Sequence, residues 1–235
     1  MLAKIILSSD MNGNSLISLI IESHIMLPYL SEVNLSIISL TIFALCFLIT
    51  TLTSGKRFKK GHTARAVRSE YRKSWAALMI KKDEQRALLD FLRNNITVST
   101  TLLGAFVIGF GLVVNAFAGS TSVLAGLHLL FIIIVIAYAV FYLLIDVRAM
   151  IYIPIIFGAD EKLIKTHENI SKVEYLAKLL DNSFDDFANV IRSLFYLIAL
   201  MVFSFDILLF IAVTLLLTFL FVRRDLAEKS RIEIF

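Results

Sequence analysis

Ile191 to Val222 is an apolar stretch too long for one ordinary membrane crossing, and it carries an acid, Asp206, near its middle. About 30 residues of helix reach roughly 45 Å, against a hydrocarbon core of about 30 Å. Two short antiparallel crossings with a turn around Ser204-Phe205-Asp206-Ile207 fit that length. In such a hairpin Asp206 lies in water at the turn. In a single long helix it lies near the bilayer centre, where a carboxylate costs at least about 2.5–3.5 kcal/mol, and there it reads as an intramembrane proton or cation site. The threading also fixes the side on which the C-terminus emerges.

The rest of the chain is built from similar material. It is 58% hydrophobic over 235 residues, with a mean hydropathy of +0.83, well above a soluble domain. The fold class expected is all-α: a polytopic transmembrane helical bundle with cytoplasmic helical extensions. Leu35 to Ser54 is the first clear crossing, Thr97 to Ala118 the second and Val123 to Ile145 the third, its apolar character resuming at Ile151 to Phe157. The last stretch supplies a fourth and, folded back, a fifth. Residues 1–34 read as a polar leader followed by an interfacial or partly inserted helix. Residues 35–225 form the transmembrane domain, and residues 226–235 a cytoplasmic tail. The few apolar residues after Lys4 do not make a signal peptide.

Charge orients the spans. Between the first and second crossings Lys and Arg far outnumber Asp and Glu, which holds that segment in the cytoplasm. The uncharged turn from Ala118 to Ser122 suits the far side. With a hairpin at the end, Arg223, Arg224, Lys229 and Arg231 return inside, and Lys4 alone of the Lys and Arg is left outside. This predicts a multi-pass cell-membrane protein with the N-terminus outside and the C-terminus cytoplasmic. Two cytoplasmic amphipathic helices are expected, over 63–93 and over 161–191. The second has apolar residues at spacings of three, four or seven, with Asp160 as its N-cap.

Several of these strings resemble a known family. Arg72-Lys-Ser-Trp75 followed by Met79, the string Leu92-Arg-Asn-Asn-Ile-Thr-Val-Ser-Thr100, Ile145-Asp-Val-Arg148-Ala-Met-Ile-Tyr152, Arg192 to Tyr196 and Val222-Arg-Arg-Asp225 resemble the domain-of-unknown-function family numbered 599. The resemblance spans about residues 35–225 and implies a membrane protein. The Gly-Pro that many members carry midway through the last segment is replaced here by Ser204-Phe205-Asp206.

Polar residues inside the apolar runs are the functional candidates. Arg93, Asn94, Asn95, Ser99 and Asn115 mark a candidate ion path along the second crossing. Asn95 or Thr97 is placed to cap that helix, and a helix start beside Arg93 attracts anions. Small residues at Thr101, Ala105 and Gly109, and at Gly104 and Gly111, suit either close helix packing or room for a pore. Asp146, Arg148, Arg192, Tyr196 and Asp206 are candidate inter-helix polar contacts. Asp146 and Arg148, two apart, do not face each other, and Arg192 and Tyr196 are the natural partners for Asp146.

These features favour an oligomeric ion channel or transporter-like protein, with anions favoured over cations by a ring of cytoplasmic charge. The expected partners are the lipid bilayer, further copies of the chain and a small inorganic ion. The alternative is a non-conducting scaffold whose cytoplasmic helices dock a soluble partner. No catalytic constellation, phosphate loop or dinucleotide fingerprint is present, so an enzyme is not expected. The four histidines are scattered without metal-ligand spacing. No cofactor and no nucleic-acid partner are expected, since lipid headgroups and topology account for the basic loop.

Overall fold

A computed structural model describes residues 13–53, 64–82 and 84–226, with side chains described from Val33 onward and for most of those residues. The leader at residues 1–12, the basic loop at 54–63 and the tail at 227–235 lie outside the described residues. Among the described residues there are seven helices and no strand: α1 Gly13–Thr53, α2 Ala64–Lys82, α3 Gln85–Ala118, α4 Val123–Gly158, α5 Glu161–Glu168, α6 Lys172–Phe203 and α7 Ile207–Leu226. Five of them, α1 (over Val33–Thr53), α3, α4, α6 and α7, are long and apolar enough to cross a membrane. The chain is a multi-pass integral membrane protein.

Length sorts these five. The span in α1 and the whole of α7 are about 30 Å long, one hydrocarbon thickness. α3, α4 and α6 run to about 50 Å each, so each overshoots the bilayer by roughly 20 Å. The tight connections 119–122 and 204–206 lie at one end of the bundle. The overshoot of all three long helices, together with α2 and α5, lies at the other. The described Lys and Arg other than Arg192, which lies within the length of α6, belong to that second, charged end, and Asp206 lies at the turn end.

The final apolar stretch folds as a hairpin. α6 stops at Phe203, where Ser204 and Phe205 bond back to Met201 and Val202. Asp206 then accepts a hydrogen bond from the Leu209 amide at 2.8 Å and starts α7. An N-cap that is itself exposed needs no partner in another helix, so Asp206 is a capping residue rather than an inter-helix contact.

Two expected helix boundaries move. Residues 63–93 are not one helix. Glu84, at φ −80° and ψ 61°, leaves helical geometry, and its amide bonds to the Met79 carbonyl. The reversal lets Trp75 face Phe91, with ring centroids 5.2 Å apart, and turns both apolar faces to one core. A straight helix of that length would expose one of them. Residues 85–93 then run unbroken into the second crossing. Likewise residues 161–191 are split. Asp160 caps α5 through the Lys162 amide, and Asn169 ends it in the left-handed region at φ 56°, which Asn tolerates better than most residues. Ser171 restarts the chain as α6 by accepting from the Glu174 amide. Residues 15–30 are helical and continue into the first span without a break.

Three buried clusters hold the bundle, one of them formed by Phe106, Ile136, Ala139, Leu143 and Val190 where α3, α4 and α6 meet. At the turn end α1, α4, α6 and α7 share an aromatic cluster in which Phe43 packs on Tyr196 and Phe210, and Phe47 on Tyr196. At the charged end Ala76, Leu88, Met150, Ile153, Leu176 and Leu180 are buried where α2, α3, α4 and α6 meet. α4 and α6 contribute to all of them. α3 leans on α4 from outside: 6% of its most apolar window is buried, against 39% for α6.

Candidate functional site

The buried polar side chains form a ladder along α6, and each rung ties it to other helices. The lowest rung, outside the apolar layer, is Asp181, whose two oxygens accept from Arg72 Nε and Ser69 Oγ of α2. The Arg72 guanidinium also lies over the Phe184 ring, 5.2 Å from its centroid. The next rung is Asp146 of α4, fully buried. It accepts from Ser99 Oγ of α3 at 2.6 Å and from Ser183 Oγ of α6. Above it, Arg192 donates to both carboxylate oxygens of Asp225 on α7, at 2.8 and 2.7 Å, and to Asn189 Oδ1. Then Tyr196 Oη meets Thr218 Oγ1 at 2.8 Å and reaches the Cys46 carbonyl of α1. Near the turn end, His128 of α4 bonds the Leu200 carbonyl at 2.8 Å.

Asp146 therefore takes its partners from two serines, not from Arg192 and Tyr196. The reason is register. Ser99 and Ser183 lie level with Asp146, whereas Arg192 lies more than two turns further along α6, level with the end of α7. Arg148 is exposed and stays on its own helix, its guanidinium 5.8 Å from the Tyr152 ring. Sequence reasoning missed Ser69, Asp181, Ser183, His128 and Thr218. They lie far from their partners along the chain, and only the helix packing brings each pair together.

The five candidate path residues do not share a face of α3. Taking Arg93 as origin, Asn115 lies about 40° away, but Asn95 and Ser99 lie about 200° and 240° away. Ser99 points inward to Asp146, while Arg93, Asn94 and Asn115 are exposed. Asn95 and Thr97 are not caps. Because α3 begins at Gln85, they sit inside a continuous helix and bond back to the Phe91 and Arg93 carbonyls. The backbone N–H groups there are spent on the helix, so no anion-attracting helix start exists at this point.

What the outer face does carry is a run of polar and small residues, interrupted by the exposed Val107 and Ile108. Arg93, Thr97, Thr100, Gly104, Gly111 and Asn115 fall within an arc of about 60°, and all are exposed in the protomer. A side chain added at Gly104 or Gly111 would meet nothing within 4 Å. Thr97, Thr100 and Thr101 satisfy their hydroxyls on carbonyls one turn back. Among the described residues no three His, Cys, Asp or Glu side chains converge as a metal site.

A family profile described as "Protein of unknown function, DUF599" matches residues 38–230, most of the chain. The chain belongs to this family. The DUF599 match takes in all five rungs of the α6 ladder and the whole of α3. No curated protein and no solved structure matches the chain.

Proposed function

We propose that the protein is a homo-oligomeric membrane conduit for a small inorganic anion, with the outer face of α3 turned to the oligomer axis. The observation that carries this reading is the stripe from Arg93 to Asn115. A helix that only faces lipid gains nothing from two glycines, each less favourable than Ala by about 1 kcal/mol in a helix interior, nor from an exposed Asn. The filled aromatic core of the protomer argues the same way. A path through it has to displace Phe43, Phe47, Tyr196 and Phe210, whereas a path between copies displaces only lipid. Arg93 is the electrostatic selector and Asn115 the polar group near the far mouth. The charged end is cytoplasmic by the positive-inside rule, which puts the turn end and the start of the first span outside and Leu226 inside.

The scaffold alternative is weaker for the helix first named for it. The apolar residues of 172–191 are used within the chain, with Leu176 and Leu180 buried against α2, α3 and α4. The test is anion flux from proteoliposomes. The reading predicts flux above empty vesicles that falls at least fivefold in Asn115→Leu and turns toward cations in Arg93→Glu. Flux equal to empty vesicles for every small anion and cation removes it.

A further inference from the structure

We propose that Asp146 is a proton-binding site: in the packed bundle its side chain is a carboxylic acid shared between Ser99 of α3 and Ser183 of α6. The site lies on a different face of α3 from the conduit residues and does not rest on that reading.

Helix register builds the site. On α3, Ser99 lies about two turns from Leu92 on one side and from Phe106 on the other. On α4, Asp146 lies between Leu143 and Met150, and on α6 Ser183 lies between Leu180 and Val190. All of these side chains are buried. Leu92, Met150 and Leu180 belong to the cluster at the charged end. Phe106, Leu143 and Val190 belong to the cluster where α3, α4 and α6 meet. One carboxyl and two hydroxyls, one group from each helix, therefore form a polar layer with apolar packing on both sides of it.

That layer lacks a positive charge. Asp146, Asp181 and Asp225 are the buried acids among the described residues. Asp181 and Asp225 each bond an Arg, Arg72 and Arg192 respectively. Asp146 bonds Ser99 and Ser183 and pairs with no described Lys, Arg or His. The other charges on the helices packed against it are placed elsewhere. Arg86, Asp90, Arg93, Arg148 and Lys178 are exposed, and Lys172 donates to the Ala159 carbonyl. Asp185 and Asp186 carry the same sign as Asp146.

A carboxylate cut off from water needs a counter-charge, and two neutral hydroxyls do not supply one. Such a group is neutralised by taking up a proton. The acid form fits the layer. One oxygen accepts from one serine while the O–H donates to the other. The accepting serine turns its own hydroxyl to a carbonyl one turn back, as Ser193 does to Asn189. A metal ion fits less well, because the side-chain oxygens of the layer fall short of the roughly six that a hard cation gathers, and the nearby carbonyls are taken by the helices. Asp146 lies about 35 Å along α4 from the turn end, so water at the charged end is the source of the proton and its destination. When the proton leaves, the electron pair of the O–H bond stays on the carboxylate, and water has to enter the layer to solvate it. α3 is the helix that yields, since 6% of its most apolar window is buried.

The experiment is infrared spectroscopy of the full chain in lipid bilayers at neutral pH, with aspartate isotope-labelled at its carboxyl carbon. The site predicts a carboxylic-acid C=O band that shifts with the label, is lost in Asp146→Asn, and moves in frequency in Ser99→Ala and Ser183→Ala. Thermal unfolding checks that each variant is folded, and the two serine variants assign the band if Asp146→Asn does not fold. A wild-type spectrum with no acid band from aspartate overturns the site. An acid band that survives in folded Asp146→Asn belongs to another aspartate and overturns it too. A band that appears only when sodium and potassium are exchanged for choline marks a metal ion as the ordinary occupant and overturns the proton. Anion flux is decided separately by the proteoliposome assay, so the site and the conduit fail independently.

Discussion

Arg192 on α6 grips Asp225 on α7 at the end of the hairpin opposite its turn, one guanidinium nitrogen lying 2.7 and 2.8 Å from the two carboxylate oxygens. Both side chains are about nine-tenths buried, and Asn189 takes a second guanidinium nitrogen. The pair closes a loop that starts with the Asp206 cap, so the hairpin is fastened at both ends. Breaking a buried pair leaves an uncompensated charge and costs about 3–5 kcal/mol. Arg192→Leu and Asp225→Leu are each expected to destabilise by that amount in chemical unfolding in detergent micelles. The double variant is expected to lose clearly less than the sum, because neither charge is then left alone.

Asp146 joins three helices through two serine hydroxyls. Asp146→Asn keeps one acceptor and gains a donor, and a serine oxygen accepts as readily as its hydroxyl donates. Asp146→Leu keeps neither. Leaving buried polar groups unmade costs about 1–3 kcal/mol. Thermal unfolding in micelles is expected to rank wild type close to Asp146→Asn, and both clearly above Asp146→Leu. Equal loss in the two variants would show that the charge itself, rather than the hydrogen bonding, holds α3 to α4 and α6.

Ser171 separates α5 from α6. Its hydroxyl accepts from the Glu174 amide at 3.2 Å, and α6 then carries every rung of the ladder. Ser171→Ala is expected to cost about 1 kcal/mol of stability. Faster hydrogen exchange at residues 172–175 is expected, with the exchange of 190–200 unchanged.

Gly104 tells a packing role inside the protomer from a role outside it. No atom of the protomer lies within 4 Å of a side chain placed there. Gly104→Leu is therefore expected to leave the micelle unfolding temperature the same or raise it slightly, and to reduce both assembly in nanodiscs and ion flux. A lower unfolding temperature would place Gly104 in a contact within the chain.

Much of this architecture is legible in the sequence because lipid enforces it. The apolar run of 191–222 exceeds one crossing by half, and the acid at 206 marks where it turns. Helix boundaries are less legible because they need not coincide with membrane boundaries. Arg86, Asp90 and Arg93 look like a polar break before Thr97, yet they occupy the outer face of one helix whose inner face, Leu88 and Leu92, continues the apolar stripe. The restart at 171 did leave a signal, the capping-box spacing Ser171-Lys-Val-Glu174. The partners of Asp146 left none. Ser99 and Ser183 lie 47 and 37 residues away, and a serine in a membrane helix looks the same whether it bonds its own backbone or a neighbour. The division of α3 into an inward face with Ser99 and an outward face with Gly104 and Asn115 is set by its packing on α4 and α6, through Phe106 and the Ser99–Asp146 bond.

The most direct test of an aqueous path along α3 is cysteine accessibility in the assembled protein. In a Cys46→Ala background, single cysteines at Thr100, Gly104, Gly111 and Val98 are exposed to a charged, membrane-impermeant thiol reagent in proteoliposomes. Val98 is exposed in the protomer but lies about 140° from Arg93, away from the stripe. An axis lined by the stripe predicts modification at 100, 104 and 111 and none at 98. Cysteines at 100, 104 and 111 as inert as the one at 98 would show that this face meets only lipid or protein, and would contradict the conduit.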